Sequence, residues 1–113
     1  MRPIVISLIV HLVSLSPGTL LATDSVVDVK AAERLLKKSK CTNCHSVNRD
    51  KEGPSFRSIA EKYRNNPEAE ARVFEHMTSS PEVCVDGHDE SHEPLRFDDL
   101  DEVTNLARWV LSR

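Results

Sequence analysis

From Val29 to Leu36 the apolar positions Val29, Ala32, Leu35 and Leu36 return every three to four residues, while Lys30, Glu33, Arg34, Lys37 and Lys38 supply a charged face. That spacing predicts an amphipathic helix, with Asp28 as its N-cap. Phe56, Ile59, Ala60 and Tyr63 repeat the template behind a second capping residue, Ser55, until Asn65-Asn66 stops the run. A third stripe, Ala69, Val73 and Met77, predicts a helix with Pro67 at its first position and Glu68 and Glu70 at its positive end, closing by Thr78-Ser79-Ser80-Pro81. The last stripe is Leu100, Val103, Leu106 or Ala107, and Val110, capped by Asp99 with Glu102 at the capping-box position. Between the third and last stripes the helical period breaks. Val83-Cys84-Val85 runs into Asp86-Gly87, which predicts a short strand and a tight hairpin turn. The pattern describes an all-α domain of about four helices, with a short β-hairpin before the last.

The N-terminus follows another rule. Ile4 to Val13 is apolar apart from Ser7 and His11, Arg2 precedes it, and Pro17-Gly18 then Thr19-Leu20-Leu21-Ala22 follow. This is the layout of a cleaved export signal over residues 1–22, with an uncleaved anchor as the second reading. Residues 23–27 then form a flexible lead-in to a domain over residues 28–113. Removing Arg2 with the signal takes the formal net charge from −3 to −4. A mildly acidic chain without a basic patch is unsuited to nucleic acid. The expectation is a periplasmic monomer that meets the membrane only transiently, through its signal. About ninety residues with few aromatics make a marginal core, so an embedded apolar group would be part of it.

The stretch with chemistry is Cys41-Thr42-Asn43-Cys44-His45. Two thiols two residues apart, followed by an imidazole, read as a c-type haem attachment site. Two other chemistries use the same groups. A structural zinc site would need more ligands, for which Cys84, His76, His88 and His92 are available without a second close pair. A dithiol redox motif would need a βαβ setting, which the pattern lacks.

Taken together, three segments resemble the small class I cytochromes c of bacteria, over about Asp28 to Arg113. They are Ala32 to Lys40 leading into Cys41-Thr42-Asn43-Cys44-His45-Ser46-Val47, then Glu52-Gly53-Pro54-Ser55-Phe56 with Ile59 to Tyr63, and Ala107-Arg108-Trp109-Val110-Leu111-Ser112. The resemblance implies a class I cytochrome c fold around one covalently attached haem c, with the first and last helices crossing near the haem edge. It implies Cys41 and Cys44 as the thioether residues, His45 as the proximal iron ligand, and Pro54 as the backbone that fixes the His45 ring. Trp109, Phe56 and Tyr63 would pack in the core or against the porphyrin.

On the distal side the sequence departs from that family, which supplies a methionine from a loop before the last helix. Here the corresponding place falls near Glu93, beside His92 and Pro94. His92 is therefore the preferred sixth ligand, His88 the runner-up, and Met77 and Cys84 follow. A five-coordinate iron with solvated histidines is the competing reading. Cys84, between Val83 and Val85, is expected to be a small apolar filler, with a reactive thiol or an intermolecular bridge as alternatives. The function implied is single-electron transfer between larger redox proteins, without enzymatic activity of its own. Small-ligand (gas) binding at an open distal site, or service as a dedicated cytochrome of an exported oxidoreductase, are the other readings.

Overall fold

A computed structural model describes residues 26–113. The export signal expected over residues 1–22, and the start of the lead-in, lie outside the described residues. Among the described residues, no helix is long and apolar enough to cross a membrane.

Four helices and one hairpin make up the domain. They are α1 (Val29–Lys38), α2 (Phe56–Lys62), α3 (Ala69–Ser79), β1 (Glu82–Val85), β2 (His88–Ser91) and α4 (Leu100–Leu111), with a 3₁₀ turn at Cys41–Asn43 after α1. The caps are the residues named from the pattern. Asp28 accepts from the Ala31 N–H, Ser55 from the Ser58 N–H and Asp99 from the Glu102 N–H. The Glu102 carboxylate reaches back one residue further than in the standard box, to the Asp98 N–H at 3.1 Å.

Helix α4 is the hub, packing against α1, α2 and α3. Its Val103, Leu106, Ala107, Trp109 and Val110 are buried, and with Ala32, Leu35, Leu36 and Phe56 they make the centre of the core. Trp109 meets Phe56 edge to face at 5.3 Å between ring centres. A two-bond clasp ties the start of α1 to α4: the Asp28 N–H donates to Asn105 Oδ1 at 2.9 Å, and Asn105 Nδ2 donates to the Asp28 carbonyl at 2.8 Å. Arg108 on α4 holds Glu70 on α3 through two bonds of 2.8 and 3.1 Å.

The hairpin is antiparallel, with Val85 paired to His88 and Glu82 to Ser91. Asp86 and Gly87 both have positive φ, 50° and 82°, as a two-residue type I′ turn requires.

Four details differ from the pattern reading. Helix α3 begins at Ala69, because Pro67 and Glu68 form a preceding turn closed by Asn66, whose side chain accepts the Glu68 N–H and whose carbonyl accepts the Ala69 N–H. Leu100 shares a stripe with Val103 but lies in the first turn of α4, and is 59% exposed. Val27, assigned to the lead-in, packs against the core. Cys84 is exposed rather than a core filler, because it alternates with the half-buried Val83 and Val85 along β1.

Candidate functional site

The chain leaves α1 through Lys40, which has positive φ (57°) and turns the backbone into Cys41–Asn43. The tight 3₁₀ turn brings Cys41 and Cys44 to one wall of a cavity of about 450 Å³. Leu36, Phe56, Ile59, Val73, Leu106 and Val110 supply much of its apolar lining. That volume is in the range of small-molecule and cofactor sites, ~300–1,000 Å³.

The loop after His45 folds back to hold the turn. The Gly53 N–H donates to the Cys44 carbonyl at 2.8 Å, and the Phe56 N–H to the Ser46 carbonyl at 2.9 Å. Lys51 Nζ bridges the carbonyls of Thr42 and Asn43, both at 2.8 Å. Asp50 accepts from the Ser55 N–H at 2.7 Å and from the Ser58 hydroxyl at 2.9 Å, bonds that hold its carboxyl below the usual carboxylate range, the Ser55 backbone first. Burial raises the Cys41 thiol. The Cys44 thiol is raised first by its hydrogen bond to Glu52, at 3.2 Å.

His45 Nδ1 lies 2.6 Å from the Pro54 carbonyl oxygen. A carbonyl only accepts, so the proton is on Nδ1 and the Nε2 lone pair is free to bind metal. Gly53 passes so close beneath the ring that an added Cβ would lie 2.6 Å from His45 Cε1. Phe56 stacks on the same ring at 5.5 Å between ring centres.

Across the cavity is His92. Its N–H donates to the Pro81 carbonyl at 2.8 Å, one step beyond the paired strands, so the hairpin register sets its position. The His45 and His92 ring centres are 6.1 Å apart. Two imidazoles on one metal, with bonds of ~2.0 Å to facing nitrogens and ~1.1 Å from nitrogen to ring centre, would be separated by about 6 Å. Burial first, then the nearby His45, holds His92 below the ordinary histidine range and favours the neutral, metal-binding form, although the Glu93 backbone opposes this. His76 is also lowered, by burial and then by His92, whose ring it meets at 4.7 Å.

Of the other residues named from sequence, Met77 lines the cavity, whereas His88 is exposed on β2 and does not. Cys84 and Tyr63 line it as well. Trp109 lies behind Phe56, outside the lining residues. The sequence reading gave Lys51 and Glu52 no role in the site, and weighed His76 only as a spare zinc ligand. The only one-dimensional hint was that His76 is next to Met77 and one turn from Val73. Gly53 stands in one of the segments that carry the resemblance, but its contact with the His45 ring exists only in three dimensions.

Among the described residues, no three His, Cys, Asp or Glu side chains converge as a zinc site needs. The sheet among the described residues is an antiparallel hairpin, not a βαβ unit. An apolar cavity with two thiols and a backbone-oriented imidazole delivered from one turn suits a covalently attached metalloporphyrin. The donor set and the space fit haem c, so the fold and site define a small haem protein of the class I type.

This chain belongs to the cytochrome c family, whose profile it matches over residues 29–113. It is 31% identical to cytochrome c-551 of Pseudomonas aeruginosa over 99 residues, covering 88% of this chain and 90% of that protein. The crystal structure of the class 1 cytochrome MtoD from Sideroxydans lithotrophicus ES-1 superposes with a TM-score of 0.74 at 39% identity, covering 77% of this chain and 97% of that one. Cytochrome c552 of Nitrosomonas europaea is similar in fold, with a TM-score of 0.56 at 24% identity over 71% of this chain and 96% of that one. Membership carries with it covalently attached haem c and electron transfer as the general activity.

Proposed function

We propose that this protein is a periplasmic carrier that takes single electrons from one larger redox protein and delivers them to another. In this reading Cys41 and Cys44 would hold the haem through thioether bonds, and His45 and His92 would ligate its iron. Bound haem supplies a one-electron couple whose potential is set by its axial ligands and surroundings.

The observation that carries the reading is the pair of imidazoles lining one cavity with ring centres 6.1 Å apart. Two protein ligands leave no open position for a gas, which favours electron transfer over ligand capture. Pro54 orients His45, the bond to Pro81 anchors His92, and the apolar wall excludes water. Exchanging methionine for a second imidazole should also lower the potential, since methionine opposite histidine raises it. The periplasmic location is supported by the export-signal pattern of residues 1–22.

Optical spectra of the holoprotein test this directly. Low-spin bands in both oxidation states, without the weak far-red band of iron–methionine bonding, are expected, and His92→Ala should give high-spin iron that binds carbon monoxide. A wild-type protein that is already high-spin and binds carbon monoxide would replace electron transfer with gas binding. A far-red band would instead make Met77 the ligand.

A further inference from the structure

His92 is anchored through its backbone, but its ring still has a rotation to fix. Its Nδ1 is buried and has no hydrogen-bond partner among the described residues. A buried donor without an acceptor is costly. A histidine bound to metal through one nitrogen almost always gives the N–H of the other to a neighbour, which sets the ring plane and makes the ligand more basic. The usual acceptors are carboxylates, carbonyls and water. In ring contact with His92, besides His45 across the cavity, is His76 on α3, at 4.7 Å between centres and 70° between planes, an edge-to-face approach. His76 belongs to the helix that Arg108 and Glu70 tie to α4, so its backbone is on the rigid part of the fold.

We propose that His76 is the positioning residue of the sixth ligand: the two rings meet edge to face without a hydrogen bond as they stand, and a turn of the His76 ring lets its imidazole accept the Nδ1 proton of His92 while it covers that ring against solvent. The proposal rests on His92 being the axial ligand. The donated hydrogen bond increases the electron density that His92 offers the iron, favouring the ferric state. The covering ring slows replacement of His92 by outside ligands. Sequence spacing offers no hint of the pairing, since sixteen positions and a hairpin separate the two residues.

The test uses four holoproteins besides wild type: His76→Ala, His76→Gln, His76→Phe and His92→Ala. The readouts are ferric spin state, reduction potential, and the rate at which cyanide displaces the sixth ligand. His92→Ala should be high-spin, which establishes the underlying assignment separately. His76→Ala should stay low-spin, with a potential above wild type and cyanide binding faster by roughly tenfold or more, the usual scale for losing such a supporting partner. His76→Gln restores an acceptor and should bring the potential back toward wild type. His76→Phe restores only bulk, so it should slow cyanide binding while the potential stays high. Wild-type potential and cyanide rate in His76→Ala would overturn the proposal, leaving the Glu93 carbonyl as the acceptor. Low-spin His92→Ala would overturn the ligand assignment beneath it, and high-spin His76→Ala alongside would make His76 the ligand.

Discussion

Gly53→Ala tests whether the close approach of backbone to the proximal imidazole is a real constraint. The new methyl would sit 2.6 Å from His45 Cε1, 2.9 Å from Nδ1 and 3.1 Å from Nε2. Carbon contacts are comfortable at ~3.5–4.0 Å, so ring and backbone must separate by about 1 Å. Neither can do so freely. A ring that retreats stretches the 2.6 Å bond to the Pro54 carbonyl towards a length at which it no longer holds. A backbone that retreats breaks the 2.8 Å bond from Gly53 N–H to the Cys44 carbonyl, which closes the haem-binding turn.

Overpacking costs ~1–3 kcal/mol and a lost hydrogen bond about 1 kcal/mol net, whereas alanine returns ~0.4–1 kcal/mol by stiffening the unfolded chain. The net loss is about 1–3 kcal/mol, or roughly 5–20 °C in Tm for a domain of this size. Thermal melts of the ferric holoprotein, followed by circular dichroism and by Soret absorbance, measure it. A high-spin fraction should appear well below the transition, because the displaced atoms belong to the proximal ring. Gly87→Ala is the control: nothing lies within 4 Å of its added Cβ, but φ is +82°. It should lose about 1–2 kcal/mol to backbone strain and leave the haem spectrum untouched. If Gly53→Ala melts with wild type and keeps its spectrum, the contact is not a constraint and the steric argument fails.

Two further predictions concern the scaffold. Asn105→Ala removes both bonds of the α1–α4 clasp and should lower stability by about 1–2 kcal/mol with an unchanged spectrum, read from urea unfolding of the holoprotein. For Asp50, the folded carboxyl titrates below its unfolded value of ~3.9, so its contribution is fully present above that pH and is lost as pH falls through the folded value. The stability gap between wild type and Asp50→Asn should be open at neutral pH and close below about pH 4; a gap independent of pH would show that the carboxylate charge is not its source.

What the sequence made readable was local. Caps at Asp28, Ser55 and Asp99 depend on a side chain and an N–H three residues away, and all three form as the residue types suggest. The Asp86-Gly87 turn is equally local, and only the left-handed preference of those residue types was needed to find it. Local rules were weaker at element ends. A stripe does not reveal where the neighbouring helix stops, which is why Leu100 reads as buried and is not. Pro67 as a helix start is sound chemistry placed two residues early, since Asn66 captures the Glu68 and Ala69 N–H groups in a separate turn.

The proximal and distal halves of the site differ for the same reason. Cys41, Cys44, His45 and Pro54 lie within fourteen consecutive residues, so one turn and one returning loop are enough to assemble them. His92 instead depends on where α3 ends, on the left-handed Ser80 that reverses the chain, on the two-residue turn and on pairing without slip. A slip of one residue would send neighbouring side chains to the opposite face. The bond from His92 N–H to the Pro81 carbonyl therefore does what the Pro54 carbonyl does for His45: each histidine is tied to the backbone beside a proline, one through its ring and the other through its main chain. That difference leaves the His92 ring with a freedom the His45 ring lacks, and the edge-to-face contact with His76 is where that freedom can be removed.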